Sequence, residues 1–323
     1  MKNLNLEIIS SKNLLAFSSG VDSTALFFLL LEKNIPFDIA IVNYNQRAQS
    51  KDEVIYATQL AHKFKKKCFI SEYPKNMKFS EKDARDYRYN FFNEIIEENN
   101  YESLITAHQL NDKLEWFLMQ LTKGAGLSEL IGMEAISYSK NYQLLKPLLD
   151  ISKKELQDYL DNNFIKYFID QTNHDEKYKR NYFRHNFSDR LIEEYQSGIT
   201  KSFSYLEKDK TSLFQHIQKK EIEELSIYEY NGDVNIALRI IDQELKKRGI
   251  IISSATRDEI ITNKEMVISH KISVALTNNK IYISPSISIP MNKKFKEKCR
   301  VQKIPKNIRP YFFYLEQEQL FTL

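Results

Sequence analysis

The stretch LLAFSSGVDSTALFFLL, residues 14–30, joins a short apolar run to a helix-like segment through a loop that holds one glycine. Gly20 is the first of seven glycines in 323 residues, and the next is Gly124. A β-carbon restricts backbone conformation and obstructs the close approach of a ligand, and glycine has none. We therefore expect Gly20 to mark a turn whose shape or ligand contact matters.

The loop around Gly20 has the features of an anion site. A strand, a tight loop and a helix start direct backbone N–H groups and the helix dipole toward a bound phosphate. Ser18, Ser19 and Ser23 add hydroxyl donors. The loop lacks the lysine and the spacing of a P-loop, and it has one glycine where a dinucleotide fingerprint has three. Asp22 would repel a phosphate, so it indicates either a magnesium ion or a helix N-cap.

Short apolar runs alternate with helix-like segments through the first half of the chain. The predicted strands are 14–18, 37–43, 68–71 and 103–107, and the predicted helices are 22–33, 51–66, 81–99 and 111–122. This alternation predicts an α/β fold with a parallel sheet flanked by helices. Ligands of such sheets bind beyond the carboxyl ends of the strands. The segments SSGVDS, NYNQR and TAHQLND follow three of the strands, so we expect them to meet at one edge.

The pattern changes after about residue 200. Helix-like segments at 200–225 and 236–248 precede KISVALTNNKIYIS, which is typical of a hairpin turning at Asn278–Asn279. We place the boundary at 195–205, between a catalytic domain at 1–200 and a smaller, mainly helical domain at 201–323. The latter ends in a basic segment, 291–310, with eight Lys or Arg and one acidic residue. The segment is either solvated surface or a contact for a nucleic-acid backbone.

Composition excludes several classes of protein. The 47 basic and 43 acidic residues give a net charge of +4, which neither demands nor excludes nucleic acid. Cys68 and Cys299 are the only cysteines, far apart and in no CxxC motif, which disfavours a disulfide scaffold, a zinc ribbon and a cysteine-ligated cluster. Neither a signal peptide nor a transmembrane stretch is evident, so we expect a cytoplasmic protein.

Further charged residues lie near the starts of the third and fourth predicted helices. Arg85 and Arg88 share one helical face, where they can grip phosphate or RNA or simply be solvated. Asp112 and Glu115 also share a face, which suits a cation or an ammonium group as well as an ordinary helix start. His108 precedes them near a predicted strand end, where it is either a ligand-pocket residue or a packed histidine.

In their order, these segments resemble the bacterial tRNA(Ile)-lysidine synthetase family of the PP-loop ATP pyrophosphatase superfamily. The loop resembles SGGxDS with Ser19 in place of a glycine, and IVNYNQR keeps Asn43 and Arg47 of the family's HxNHGLR. The family pattern HHxxDxxET is matched in part by His108, Gln109, Asp112, Glu115 and Trp116, and ExxARxxRY by Glu81, Ala84, Arg85, Arg88 and Tyr89. The pattern RGxGxxGLxGM is matched in part by Lys123, Gly124, Gly126, Leu130, Gly132 and Met133. The later patterns RPLL and DxxNxxxxxxRNxxR are matched in part by Lys146 to Leu149, and by Asp170, Asn173, Arg180, Asn181 and Arg184. The resemblance covers about residues 12–190.

The resemblance implies a two-step reaction. The cytosine carbonyl at the first anticodon position attacks the α-phosphate of ATP, and pyrophosphate leaves. The ε-amine of free lysine then attacks the activated ring carbon, and AMP departs. The implied substrates are ATP, free L-lysine and tRNA(Ile) with a CAU anticodon, with Mg²⁺ as cofactor and no membrane; a homodimer is left open.

The resemblance also assigns roles to residues. Whether Asp112 and Glu115 bind the lysine ammonium or Mg²⁺ stays open. The implied sites are ATP at Ser18, Ser19, Gly20, Val21, Asp22 and Ser23; catalysis at Asp22, Asp112 and Glu115; Mg²⁺ at Asp22 and Asp112; the nucleotide pocket at His108; and tRNA or the activated base at Arg85, Arg88, Arg180 and Arg184.

Three other functions compete with this interpretation. A tRNA thiolase of the same superfamily commonly needs catalytic or cluster-binding cysteines, and neither cysteine here lies in such a motif. A small-molecule amidating ligase leaves the basic segments unexplained. A catalytically silent nucleotide- or RNA-binding module is kept open by Ser19 and Trp116, which depart from the family pattern.

Overall fold

The computed structural model describes residues 11–46, 49–74, 80–139, 141–169 and 179–320. The chain divides into two compact units, Met1–Glu207 and Lys208–Leu323. This division and the 195–205 region proposed above fall within the same long helix. The motif residues Arg47, Asp170 and Asn173 lie outside the described residues.

The first unit contains the predicted alternation of strands and helices. Its strands are β1 Asn13–Ala16, β2 Phe37–Asn43, β3 Cys68–Glu72, β4 Ser103–Ile105, β5 Ile136–Tyr138 and β6 Gln143–Leu145. Its helices are α1 Val21–Glu32, α2 Gln49–Lys63, α3 Glu81–Asn99, α4 Leu110–Leu121, α5 Leu127–Leu130, α6 Lys153–Asn162, α7 Lys179–Phe183, a π-helical turn at Arg184–Ser188, and α8 Asp189–Phe214, which runs into the second unit. The four strands and four helices predicted in the first half are confirmed, with ends shifted by a few residues.

The sheet of the first unit has the order β3-β2-β1-β4-β6-β5. All its neighbours pair in parallel except β5, which pairs antiparallel with β6 at the edge. The chain moves outward from β1 through β2 to β3 and then returns to the other side of β1 with β4. This reversal opens a crevice at the carboxyl ends of β1 and β4, which is where ligands of open α/β sheets bind.

Alternating side chains of the strands bury both faces of this sheet. Leu15 and Ile39 pack in a cluster with α1, α2 and α6. Leu14 and Leu104 point to the opposite face, where they pack with Phe92 of α3. All four strand residues are fully buried, and full burial of such a side chain contributes about 1.5–3 kcal/mol. The two-sided core therefore fixes the strand ends that carry the polar segments.

The loop after β1 differs from the expectation in one respect. Gly20 has φ −76° and ψ 174°, an extended conformation open to any residue. A β-carbon there would lie 3.5 Å from Ser18 Oγ and 4.0 Å from the Phe168 carbonyl, which are ordinary contacts. The left-handed residue is Ser19, with φ 61°. Neither backbone shape nor local contacts therefore require a glycine at position 20, and the expectation that Gly20 allows a ligand to approach closely stays a prediction.

Two hydrogen bonds hold Ser19 in its left-handed conformation. Its hydroxyl donates to the carbonyl of Glu53 in α2 at 2.7 Å, and its own carbonyl accepts from the N–H of Phe168 at 2.9 Å. Ser19 is fully buried. The position occupied by glycine in the family pattern is thus filled by a serine whose side chain joins the loop to α2.

The second unit is built around a five-stranded antiparallel sheet of order β7-β8-β11-β10-β9. Helices hold more of its described residues than strands, and the hairpin predicted at Asn278–Asn279 joins two of the strands. The strands are β7 Gln218–Ile222, β8 Leu225–Glu229, β9 Glu265–Ile268, β10 Ile272–Leu276 and β11 Lys280–Pro285, and the helices are α9 Val234–Lys247, α10 Ser254–Asn263, α11 Lys293–Val301 and α12 Arg309–Gln317.

The helix predicted at 200–225 is wrong at its carboxyl end. Helix α8 stops at Phe214, and residues 218–222 form β7, which pairs with β8 through a turn at Glu223 with φ 51°. The sequence QKKEI of β7 is mostly exposed and has no apolar pattern that would distinguish strand from helix. Pairing with the mostly buried strand β8 decides its conformation.

None of the described helices combines the length and the apolar character needed to cross a lipid bilayer.

We predict that Ser19→Ala destabilises the protein more than Ser19→Gly does. Both changes remove the hydrogen bond to Glu53, but alanine keeps the left-handed strain that glycine avoids, a difference of about 1 kcal/mol. The measurement is urea unfolding of the two variants beside the wild type. Equal stability of the two variants would show that position 19 does not need a left-handed residue.

Candidate active site

The crevice beyond β1 and β4 contains a cleft of about 440 Å³. Ser19 is buried within the loop after β1, and Arg85 is exposed outside the cleft. Arg184 and Glu115 do not line the cleft, but Arg184 donates both to the cleft residue Asp112 and to Glu115. The structure brings most of the predicted site residues together along its wall: Ser18, Gly20, Val21, Asp22, Ser23, Arg88, His108, Asp112 and Arg180.

The start of α1 is open toward this cleft. Its N-cap is Gly20, which supplies no side-chain hydrogen bond to the first turn. The hydroxyls of Ser18 and Ser23 lie 3.0 Å apart, and Ser23 Oγ also accepts from the Ser18 N–H at 3.2 Å. Uncapped N–H groups at a helix start, flanked by hydroxyls, form a site for an anion.

Asp22 is the second residue of α1, so the N-cap interpretation of this acid is wrong. Burial raises its pKa to about 7, the negative charge of Asp112 adds to the rise, and the positive charges of Lys153 and Arg184 oppose it. Its Oδ1 is enclosed and accepts no hydrogen bond from the part of the chain that the structure describes. An enclosed carboxylate oxygen without a partner is costly, and a bound cation would remove that cost.

Asp112 and Glu115 form a buried cluster with Arg180 and Arg184. Both arginines donate from Nη2 to Asp112 Oδ1 at 3.1 Å. The Nε atoms donate to Glu115, from Arg180 to Oε1 and from Arg184 to Oε2, the latter at 3.0 Å. The acids and bases, which the sequence analysis assigned to separate ligands, therefore neutralise one another in this structure.

The two acids of this cluster respond differently to their surroundings. Burial alone would raise the pKa of both carboxyls. At Asp112 the charges of Arg180 and Arg184 outweigh burial and the pKa is lowered, whereas at Glu115 burial prevails and the pKa is raised. Removing one member of such a buried cluster leaves the others without full compensation.

Local structure at two helix starts positions the cluster. Gln109 is the N-cap of α4, where its side chain accepts from the Asn111 N–H and its own N–H donates to Asp112 Oδ2 at 3.2 Å. This capping box turns Asp112 toward the cleft and gives Gln109 a function at the position of the family's second histidine. Arg180 and Arg184 lie four residues apart across α7 and the π-helical turn, so both reach the same pair of acids.

His108 follows β4 and lines the cleft beside Asp112. Its Nδ1 lies 2.9 Å from Thr106 Oγ1, and burial lowers its pKa to about 4. The ring is therefore neutral at neutral pH, so it offers a ligand a hydrogen bond rather than a charge.

The two arginines of α3 lie in different environments. Arg88 lines the cleft and hydrogen-bonds Tyr44, the residue that follows β2. Arg85 is exposed and its guanidinium lies 4.8 Å from the centre of the Tyr89 ring. Only Arg88 can therefore contact a ligand inside the cleft, while Arg85 faces solvent beside an aromatic ring.

Trp116, the other departure from the family pattern, has a structural partner. Its indole N–H donates to the carbonyl of Glu129 at 2.9 Å. A β-carbon at Gly132 would come within 3.2 Å of the same carbonyl and 3.4 Å of the indole nitrogen. The tryptophan and Gly132 thus fit together at the end of α5.

Lys153 and Phe168 also line the cleft, and sequence reasoning missed both. Lys153 is the first residue of α6, after the capping box of Ser152 and Glu155. The pattern S-x-x-E ahead of the apolar residue Leu156 was a signal that could have located this helix start. Phe168 meets the loop from far along the chain, through a bridge to Gly20 and a hydrogen bond to the Ser19 carbonyl, for which the sequence has no local signal.

Known proteins resemble this chain along most of its length. A family profile described as a PP-loop domain matches residues 1–191. Proteins named tRNA(Ile)-lysidine synthase are similar to it, at 44% identity in Campylobacter jejuni, covering 94% of this chain and 92% of that protein, and at 41% in Helicobacter hepaticus, covering 94% and 81%. A relative of that name from Wolinella succinogenes is 40% identical, covering 94% and 93%.

A solved structure supports the fold alone. The U34-tRNA thiolase NcsA from Methanococcus maripaludis, with its [4Fe-4S] cluster, superposes with a TM-score of 0.51 at 18% identity, covering 67% of this chain and 76% of that chain. The PP-loop fold of the first unit is therefore shared with an enzyme of different chemistry. The identity, coverage and PP-loop match given above show that the chain belongs to the tRNA(Ile)-lysidine synthase family of PP-loop proteins.

Proposed function

We propose that this chain is a ligase that joins free lysine to carbon 2 of the first anticodon cytidine of tRNA(Ile) with a CAU anticodon. ATP activates the base, and pyrophosphate and AMP are released. The observation that carries the proposal is the cleft, where the uncapped start of α1 lies beside a cluster of acids and arginines. The chain that holds this cleft is 44% identical to a protein named for this activity.

The reaction needs two displacements in one place. In the first, the cytosine carbonyl oxygen attacks the α-phosphorus, and the bond to pyrophosphate breaks. In the second, the lysine ε-nitrogen attacks carbon 2, loses its proton, and AMP leaves with the former carbonyl oxygen. Holding the base, ATP and lysine in one cleft replaces encounters in solution by reactions between positioned groups.

The loop after β1 is proposed to bind the pyrophosphate part of ATP. Its N–H groups at the start of α1 and the hydroxyls of Ser18 and Ser23 are donors for phosphate oxygens. Gly20 lets the backbone approach the phosphates closely, which explains a glycine without a left-handed conformation. Ser19 supports the loop from below through Glu53.

Mg²⁺ fits the acids of the cleft. Asp22 and Asp112 would hold it, because Asp22 Oδ1 has no hydrogen-bond partner among the described residues and Mg²⁺ prefers oxygen ligands. No group of three His, Cys, Asp or Glu residues in the described ranges is arranged to hold a metal, so phosphate oxygens would supply further ligands. When bound, Mg²⁺ offsets the charge of the phosphates.

The lysine ammonium is assigned to Glu115, since Asp112 is assigned to Mg²⁺. In this structure the arginines occupy both acids, and the side chain of Arg180 is 37% exposed against 14% for Arg184. We therefore assign the permanent contact to Arg184 and an exchange to Arg180, which would give up Glu115 to the incoming ammonium. The released guanidinium would then face the cleft that it lines, where tRNA or the activated base is proposed to bind.

Contacts with tRNA are assigned to two basic surfaces. Arg85 and Arg88 lie on α3 beside the cleft. In the second unit, α11 carries three exposed lysines, Lys293, Lys294 and Lys296. Its other basic residues form ion pairs, Lys298 with Glu316 at 3.0 Å and Arg300 with Glu297 at 2.6 Å. The three exposed lysines therefore supply most of the positive charge of this helix that no ion pair neutralises.

The proposed substrates imply an enzyme of the cytoplasm. A homodimer stays a prediction, which sedimentation equilibrium would check.

The competing functions have less support. Cys68 lies in β3 and Cys299 is buried in α11 of the second unit, and neither lines the cleft, so a thiolase would lack a cysteine at its site. Ser19 and Trp116, which kept a silent module open, have structural partners in Glu53 and Glu129. These departures therefore do not remove a group that the proposed chemistry needs.

The deciding experiment incubates the protein with ATP, labelled lysine and unmodified tRNA(Ile) bearing CAU. We expect stable incorporation of lysine at the first anticodon base, with one AMP and one pyrophosphate released per lysine. A matched tRNA with the anticodon changed from CAU to UAU removes the target cytidine and is the control. Release of pyrophosphate without lysine incorporation would contradict the proposed ligation.

We predict that Asp22→Asn lowers lysidine formation about a hundredfold or more, because charge stabilisation through a metal is worth several kcal/mol. Asp158→Asn, at an exposed acid of α6, is the control and should act like the wild type. Lysidine formation by Asp22→Asn near the wild-type rate would remove Asp22 from the reaction.

The same variant has a predicted effect on stability. The Asp22 pKa rises from 3.8 in the unfolded chain to about 7 on folding, so the folded protein loses stability as the pH rises from about 4 to about 7, and the loss stays constant above that range. Asp22→Asn should therefore be more stable than the wild type at pH 8, on the order of 2–4 kcal/mol, and equal to it below about pH 4. Urea unfolding without Mg²⁺ measures this difference, and stability curves that run parallel across the pH range would contradict the buried position of Asp22.

We predict that Glu115→Gln raises the KM for lysine about tenfold, since one charge-assisted contact to the ammonium is lost. The KM for ATP should change less than about twofold, because Glu115 is not assigned to any contact with ATP. Glu98→Gln, at an exposed position of α3, is the control. An equal rise in both KM values would indicate that Glu115 only supports the shape of the site.

We predict that replacing Lys293, Lys294 and Lys296 together with Gln weakens tRNA binding and reduces its salt dependence. Each lost phosphate contact lowers the slope of log affinity against log salt by about 0.7–0.9. The control replaces Lys33, Lys65 and Lys67, exposed lysines at the opposite sheet edge from the cleft. If the two triple variants bind tRNA with the same affinity and slope, the α11 lysines are solvated surface.

A further inference from the structure

Lys153 lies in the cleft because of how α6 meets the sheet. Helix α6 follows β6 and begins beyond the carboxyl edge, as α1 does after β1. Leu156 and Leu160 of α6 are fully buried in the cluster that contains the apolar face of α1. The two packed helices therefore begin at the same edge, and Lys153, the first residue of α6, lines the cleft together with the loop at the start of α1.

Two sets of hydrogen bonds hold the backbone at Lys153. The capping box of Ser152 and Glu155 fixes the start of α6. The Lys153 N–H donates to Asn111 Oδ1 at 3.1 Å, and Asn111 Nδ2 in turn donates to Asp189 Oδ1 at 2.7 Å. Asn111 is buried, so its amide joins the starts of α4, α6 and α8. Side chains placed by such a network vary little in position, which is what recognition of a ligand needs.

Lys153 also differs from the other cations of the cleft in its charge balance. Arg180 is paired with Asp112 and Glu115, and Arg88 hydrogen-bonds Tyr44. Among the residues that the structure describes, no carboxylate lies within ion-pair distance of the Lys153 ammonium, although the residue is only half exposed to solvent at the cleft wall. A partly desolvated cation without a counter-ion is unfavourable until an anion binds.

We propose that Lys153 binds the β- and γ-phosphates of ATP and remains bound to pyrophosphate after the first displacement. The inference rests on the proposed function, because it assigns the anion of Lys153 to the leaving group of that reaction. Lysine acts on phosphates as a compact point charge, and the loop beside it offers N–H and hydroxyl donors to the same oxygens. Negative charge grows on the pyrophosphate as the bond to the α-phosphorus breaks, so a cation placed there favours the transition state.

The test measures binding of pyrophosphate and of AMP to the full-length protein by calorimetry in the presence of Mg²⁺. For Lys153→Gln we expect the dissociation constant for pyrophosphate to rise about tenfold or more, the loss typical of one charge-assisted contact. The dissociation constant for AMP, which lacks the β- and γ-phosphates, should change less than about twofold. The matched control is Lys154→Gln, the next residue of the same helix, whose ammonium is exposed and pairs with Asp158.

A conservative variant separates charge from structure. Lys153→Arg keeps the charge at the start of α6 and should bind pyrophosphate within about threefold of the wild type. Unchanged pyrophosphate affinity in Lys153→Gln, or an equal loss in Lys153→Arg and Lys153→Gln, would overturn the proposal. The binding readout does not depend on lysidine formation, so absence of lysine incorporation by the wild type would reject the proposed function without deciding the role of Lys153.

Discussion

The buried neutralisation of two carboxylates by two guanidiniums constrains the whole first unit. Asp112 and Glu115 lie in α4, with Asp112 at the cleft wall, and burying both as ions is costly unless cations accompany them. Arg180 and Arg184 supply that charge from a distant part of the chain, so α7 and the π-helical turn must lie against α4. Earlier in the chain, the Phe168 N–H donates to the Ser19 carbonyl in the loop after β1.

The cleft itself shows the opposite arrangement. Asp22 Oδ1 has no partner among the described residues, and the Lys153 ammonium has no carboxylate at ion-pair distance among them. One unpaired acid and one unpaired base side by side are complementary to a metal–phosphate complex, which carries both signs of charge. A protein selected for stability alone would pair such groups with each other or remove them, so their state indicates a site kept ready for a ligand.

The sequence predicted those parts of the fold that local pattern determines. The run from Phe37 to Asn43 is short, mostly apolar and preceded by Pro36, and it forms β2 with the predicted ends. Residues 218–222 carry no such pattern, and only pairing with β8 makes them a strand. In the site, the loop and His108 follow their strands as predicted, because the carboxyl ends of parallel strands meet. The pairing of Asp112 with Arg184 could not be predicted, since it joins residues far apart in the chain through tertiary packing.

The π-helical turn at Arg184–Ser188 has a consequence for insertions and deletions. A π turn holds one residue more than an α turn, and it connects α7, which faces the acid pair, to α8, which packs through Ile192 and Phe203. Deleting a single residue within the turn would convert it to an α turn of nearly the same rotation, so α7 and α8 would keep their relative phase. Deleting a residue of regular helix at the start of α8 would instead rotate the rest of α8 by about 100°, and Ile192 and Phe203 would point away from their apolar cluster. The π turn is therefore a position at which the chain can lose one residue and keep both the ion pairs on one side and the apolar contacts on the other.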